Sequence, residues 1–166
     1  MLGRLYESEN CSAARALELV GERWSLLILR NAAFAGQTRF SEFERSLGIA
    51  PNILASRLES FVAAGLMEMH PNAEHKGQHE YVLTEKGRDF VPSIVALTTW
   101  GDRWAAPEGP PIIYEHESCG GEIELELRCR ACDEVTAPAA VQVRPGPGFR
   151  AVDSDELAPG TDGAGH

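Results

Sequence analysis

A glycine and a proline three residues apart split residues 41–65 into two short helices, and nothing else in the chain limits the fold as strongly. Gly48 can take the left-handed backbone that closes a helix. Pro51 has no N–H to give, which costs nothing in a first helical turn. Before the break, Ser41-Glu42-Phe43-Glu44 reads as a capping box, with the Ser41 hydroxyl reaching the Glu44 amide and the Glu44 carboxylate reaching back. That helix should end at Leu47. After the break, a second helix should open with Pro51 at its first position and run through residue 64, ended by Gly65. Leu54, Leu58, Phe61 and Val62 recur at helical spacing and face inward. Asn52, Ala55, Ser56 and Glu59 are left outside, with Arg57 at the flank. Two helices joined by a short Gly-containing turn make the helix-turn-helix pattern.

The flanking segments sharpen it. One helix should begin near Cys11, capped by Ser12, and end at Gly21; another should follow from Glu22 to about Phe34, closed by Gly36. Leu17, Val20, Trp24, Leu27 and Ile28 mark their buried stripe. Thr38-Arg39-Phe40 reads as a short extended piece. Downstream, Leu66–His70 and Glu80–Leu83 are candidate strands around a polar, turn-rich loop, a hairpin or "wing". Farther on, Phe90, Ile94, Leu97, Gly101 and Trp104 repeat at steps of 4, 3, 4 and 3, with Val91, Thr98 and Trp100 beside them. This heptad-like apolar line suits a dimer seam, packing on the helices of its own chain, or one face for each. Pro92 lies inside the line and should start or bend that helix.

The chain has 166 residues, 43% of them hydrophobic, enough for a core of ordinary size. No apolar run approaches the ~20 residues of a membrane helix. Met1 to Glu7 carry no signal-peptide stretch, so the expected compartment is the cytoplasm, with no membrane partner. The net charge of −10 is uneven: residues 1–109 hold 11 Lys+Arg against 14 Asp+Glu, and residues 110–166 hold 4 against 11. Pro107-Glu108-Gly109-Pro110-Pro111 cannot continue a helix, and Arg144-Pro145-Gly146-Pro147-Gly148 makes a second break. Three regions follow: a helical domain with a hairpin at 1–106, a small β-rich ribbon at 107–149 and a disordered tail at 150–166. The fold class is α+β, and no internal repeat is visible.

The ribbon carries His116-x-x-Cys119 and Cys129-x-x-Cys132 with nine residues between them. One imidazole and three thiolates suit a tetrahedral structural zinc, a closed site in a segment too small to fold on a core. A reversible disulfide, or a ribbon that has lost its metal, stays open. Glu122 to Arg128 alternates polar and apolar as a half-buried strand does, and Val141 and Val143 could pair beside it. Cys11, at the head of the first helix, is a redox candidate because helix N-termini favour thiolates; the alternative is a small buried residue.

Cys11-Ser12-Ala13-Ala14-Arg15-Ala16-Leu17, Gly21-Glu22-Arg23-Trp24-Ser25-Leu26-Leu27-Ile28-Leu29-Arg30, Arg39-Phe40-Ser41-Glu42-Phe43, Leu54-Ala55-Ser56-Arg57-Leu58, Ala64-Gly65-Leu66 and Tyr81-Val82-Leu83-Thr84-Glu85-Lys86-Gly87 follow one another in collinear order. Together they resemble the HxlR-type winged helix-turn-helix regulators over residues 11–104. Gly-x-Arg-Trp and Leu-Thr-x-x-Gly are the most specific elements; Ser12 departs from the pattern, which has proline after the cysteine. The resemblance implies a homodimeric bacterial transcription factor, not an enzyme, that reads an inverted-repeat operator on double-stranded DNA. Some related regulators sense oxidants or electrophiles through a cysteine at the Cys11 position.

In that architecture the helix opening at Pro51 enters the major groove. Pro51, Asn52, Ser56 and Arg57 are the expected readers, since Asn pairs with adenine and Arg with guanine or phosphate. Thr38, Arg39 and Ser41 would touch phosphates, and His75 and Lys76 would lie along a flanking backbone or minor groove. Against each stands a plain reading: Arg57 in an ion pair with Glu59, Ser56 a solvated small residue, His75 and Lys76 a soluble loop. Residues 37–88 hold 6 Lys+Arg and 7 Asp+Glu, so a shallow salt dependence is expected. A small-molecule effector is a further expected partner. The rival classes are a thiol or metal enzyme on Cys129-x-x-Cys132 and a winged helix used only for protein contact.

Overall fold

The computed structural model describes residues 11–72 and 75–149. The predicted tail at 150–166 and Ala73 and Glu74 of the predicted polar loop lie outside the described residues. The described chain runs α1 (Ser12–Val20), α2 (Arg23–Phe34), α3 (Phe40–Leu47), α4 (Pro51–Ala63), β1 (Met67–Pro71), β2 (His79–Leu83), α5 (Glu85–Arg88) and α6 (Val91–Trp104), with a 3-10 turn at Pro138–Ala140.

The break between α3 and α4 is where the two residues put it. Gly48 has φ +60, and Pro51 opens α4. Gly65, at φ +69, turns the chain from α4 into β1. β1 and β2 pair antiparallel, with Met67 opposite Leu83 and Pro71 opposite His79. A third extended piece joins this hairpin: Arg39 bridges Glu80, and the Tyr81 N–H donates to the Thr38 carbonyl (2.7 Å).

That pairing shifts the start of α3. The helix begins at Phe40 with Arg39 as its cap, not at Ser41, whose side chain is exposed. Glu42 rather than Glu44 closes the turn, accepting the N–H of Thr38 (3.0 Å) and of Arg39 (2.9 Å). These two N–H groups hold the Glu42 carboxyl below the ordinary glutamate range. Likewise Cys11, not Ser12, occupies the cap of α1. Gly21 ends α1 in right-handed backbone, so its need for glycine is spatial: a Cβ would stand 2.5 Å from the Leu17 carbonyl oxygen.

The core lies between α2, α3, α4, the hairpin and α6. Ile28, Leu29, Phe43, Ile49, Leu54, Leu58, Phe61, Leu66, Met67, Leu83 and Ile94 are buried together, with Trp24 and Phe90 packed against them. The Arg23 guanidinium lies 4.7 Å over the Trp24 ring, a cation–π contact at the start of α2. Leu17, expected in the buried stripe, is exposed, because the described chain lays nothing over that side of α1. Asn31 ties α2 to α3: its Nδ2 donates to Ser46 Oγ (3.0 Å) and Gln37 Oε1 (3.2 Å), while Arg30 donates to its Oδ1. Ser25 is the opposite case. Its hydroxyl is buried with no hydrogen-bond partner among the described residues. Ser25→Ala should therefore raise stability by about 1 kcal/mol, read as a higher urea midpoint at unchanged slope.

Two elements differ from expectation. α5 was not anticipated. Thr84 caps it by accepting the Gly87 N–H (3.1 Å), and its hydroxyl donates to the Gly65 carbonyl (2.7 Å). Lys86 Nζ donates to Ala64 O (2.7 Å) and Arg88 Nη1 to Leu83 O (2.6 Å), so one turn fastens the end of α4 to the end of β2. Residues 107–149, expected as a β-rich ribbon, contain no regular strand among the described residues. Glu115 bridges Glu122 and Arg128 bridges Val135 as isolated pairs, and Val141 and Val143 join no strand pairing among the described residues. The alternating segment 122–128 lacks the long partner that a strand needs.

Candidate nucleic-acid interface

α3 and α4 cross over Phe43, Leu54 and Leu58, which spends one side of α4 on the core. The remaining side is free. Pro51, Asn52 and Ser56 are exposed, and Arg57 is half-buried at the flank with no hydrogen bond or ion pair among the described residues. The alternative reading, an ion pair of Arg57 with Glu59, is not formed among the described residues. Glu59 instead lies near Tyr81, whose hydroxyl is pushed above the ordinary tyrosine range first by burial and then by that carboxylate.

The wing packs against the start of α3, the helix before α4. Buried Asn72 builds its base: Oδ1 accepts the His75 N–H (2.8 Å), Nδ2 donates to Glu80 (2.8 Å), and the Asn72 N–H donates to the Gln78 carbonyl (2.9 Å). His75 and Lys76 follow it on exposed chain. Asn72 was not singled out from the sequence, although an Asn after Pro71 at the head of a polar loop is an Asx-turn signal. Arg39 differs from expectation: its Nε lies 3.8 Å from Glu80 Oε1, so its charge is partly spent within the chain. With Ser41, Gln78 and His79 it lines a cavity of about 360 Å³ between α3 and the wing. Thr38 is half-buried, its carbonyl engaged by β2.

The apolar line of α6 divides. Ile94 is buried in the core of its own chain and Phe90 packs against that core, so these two are not presented outward. Leu97, Trp100 and Trp104 are 50%, 61% and 66% exposed, and Gly101 is half-buried. Pro92 sits in the first turn of α6, where it starts the helix without bending it. Among the described residues no helix is long and apolar enough to cross a membrane.

The cysteines fall in two places. Cys11 is exposed at the head of α1, its carbonyl accepting the Arg15 N–H (3.1 Å). In the C-terminal segment His116 Nδ1 lies 3.3 Å from Cys119 Sγ. Cys129 lies beside Cys132, and N–H groups of Cys132 and Ala131, then the Cys132 side chain, hold the Cys129 thiol below its ordinary range. The two pairs are not gathered: no three His, Cys, Asp or Glu among the described residues share one point.

A helix-turn-helix with one free helical face, followed by a hairpin seated on the same domain, defines the winged helix-turn-helix class of DNA-binding regulators. The model of the HxlR-like helix-turn-helix family matches residues 19–109, and the chain belongs to that family. It is 47% identical over 151 residues to an HTH-type transcriptional regulator of Mycobacterium tuberculosis, covering 90% of this chain and 94% of the relative. An HTH-type regulator of Methanothermobacter thermautotrophicus is 32% identical over 97 residues, 58% of this chain and 73% of that one. Among solved structures, the chain is similar to PA1607, assigned as a transcription factor, at 37% identity and TM-score 0.76, covering 85% of this chain and 99% of that one. It is also similar to the redox regulator HypR in its reduced form, at 26% identity and TM-score 0.50, covering 56% of this chain and 92% of that one. The family and these relatives are transcriptional regulators, so the chain is a DNA-binding regulator and not a thiol or metal enzyme.

Proposed function

We propose that two copies of the chain hold an inverted-repeat operator, each laying the leading edge of α4 in the major groove. The free Asn52, Ser56 and Arg57 side chains carry this reading, because base readout needs polar groups not already paired within the protein. Pro51 sets the start of that edge. The wing, through His75 and Lys76, lies along a flanking backbone, and Thr38, Arg39 and Ser41 border the phosphates at the start of α3. The dimer forms in the cytoplasm through Leu97, Gly101 and Trp104, with Trp100 added. Three exposed large apolar side chains on one helix favour a covered face. Cys11 is accessible to oxidants, and HypR, a similar protein, is a redox regulator; this supports a redox response at Cys11. A cavity of about 460 Å³ lined by Phe34, Val91, Val95, Ile112, Ile123 and Leu125 suits a small apolar effector.

Selection of bound genomic fragments by the purified chain, followed by footprinting across a salt series, tests the reading. Protection of a pseudo-palindrome with half-sites about one helical turn apart is expected, with a shallow salt slope. No protected sequence at any salt would leave the winged helix as a protein-contact module.

A further inference from the structure

Residues 107–149 have no core, since only Tyr114, Cys129 and Thr136 are even half-covered. Yet the backbone there builds one turn twice, at a constant offset of thirteen residues, 116 to 129 and 119 to 132. In the first copy the His116 N–H donates to Gly121 O (2.8 Å), Gly120 N–H to His116 O (2.8 Å) and Ile123 N–H to Tyr114 O (2.8 Å). In the second the Cys129 N–H donates to Glu134 O (2.9 Å), Asp133 N–H to Cys129 O (2.9 Å) and Thr136 N–H to Leu127 O (2.7 Å). The bridges repeat as well, Glu115 with Glu122 and Arg128 with Val135. So does the backbone after the second donor: Gly120 has φ +68 and Asp133 has φ +60. Asp133 is the one non-glycine with positive φ among the described residues, held by Arg128, which donates to its carbonyl (2.7 Å).

Sequence identity does not explain the repeat, because only Cys119 and Cys132 match among the residues of the two turns proper (116–121 and 129–134). What the copies share is the placing of two soft donors on one tight turn. In the first, His116 Nδ1 lies 3.3 Å from Cys119 Sγ; in the second, the same backbone turn carries Cys129 and Cys132 at the same spacing. A two-residue spacing on such a turn lets both donors meet one ion.

We infer that the paired turns are two halves of one metal site, closing on a zinc-type ion with His116 Nδ1 and the sulfurs of Cys119, Cys129 and Cys132 as its four ligands. The halves are preformed, and the ion supplies the contact between them that no core supplies. Zinc fits because three thiolates and an imidazole are one of its usual structural sets, and with all four positions taken the site is structural. The effect reaches the helical domain. Tyr114, at the edge of the first turn, has its hydroxyl 3.2 Å from Thr98 Oγ1 on α6 and its ring 4.6 Å from Phe34 on α2. This inference stands apart from the operator reading and survives its failure.

The test is metal analysis of the full chain purified under reductant without chelator, with cobalt(II) titration of chelator-stripped protein. About one zinc per chain is expected, and cobalt should give the visible bands of a tetrahedral thiolate site. Cys119→Ser and Cys129→Ser, one in each turn, should each fall below about a fifth of an equivalent, while Cys11→Ser keeps the full complement. Zinc near zero in fully reduced protein, together with no cobalt bands, would overturn the inference. Full metal content in both turn variants would overturn it equally.

Discussion

Gly87→Ala should destabilise the winged domain by about 3 kcal/mol, the upper end for a group forced into a packed site. A Cβ on Gly87 would stand 2.2 Å from the Leu66 carbonyl oxygen and 3.0 Å from Leu83 Cδ2. Neither neighbour can yield cheaply. Leu66 is in the core, and its carbonyl accepts the Thr84 N–H (3.1 Å). Moving α5 instead would release the Thr84 cap and the Lys86 and Arg88 bonds that fasten α4 to β2. The melting midpoint should fall by about 10 °C or more for a domain of this size. Gly146→Ala is the control: a Cβ there meets nothing within 4 Å and lies outside the winged domain, so that variant should leave the midpoint unchanged. Equal midpoints for wild type and Gly87→Ala would mean that α5 is not seated on Leu66.

Arg57→Ala should weaken operator binding about 10- to 100-fold while leaving the melting midpoint unchanged. The second half follows from geometry, since Arg57 makes no polar contact among the described residues that folding would lose. Titration of the selected operator and of versions changed at each protected base decides how it acts. A guanine contact makes the loss collapse at one base pair; a phosphate contact lowers affinity uniformly and reduces the salt slope by about 1. Unchanged affinity for every fragment would remove Arg57 from the interface.

What could be read in the residues was what acts locally. Gly48 and Pro51 impose their backbone wherever they stand, so the turn between α3 and α4 was legible, as was the outward face of α4. The hairpin was legible within a residue or so, because alternation and turn residues are local too. The start of α3 was not. It depends on Thr38 and Arg39 pairing with β2, forty residues along the chain, which no spacing around Ser41 records. The α6 line was ambiguous for a related reason. Periodicity says which residues share a face but not what covers it, and Ile94 turned inward while Leu97 did not. α5, four residues long, is too short to show a period. In the C-terminal segment the spacing of His116, Cys119, Cys129 and Cys132 was visible but the repeated turn was not, because it lives in hydrogen bonds rather than in residue identity.

The bridge from Arg39 to Glu80, with the Tyr81 to Thr38 bond, stitches the hairpin to the start of α3. Reader and hairpin therefore travel as one stiff hand, unable to spread its fingers to suit a longer or shorter site. Whatever joins two such hands becomes the ruler. A ligand or oxidant that altered the grip between copies would change which operator lengths are accepted and leave the letters read in each half untouched.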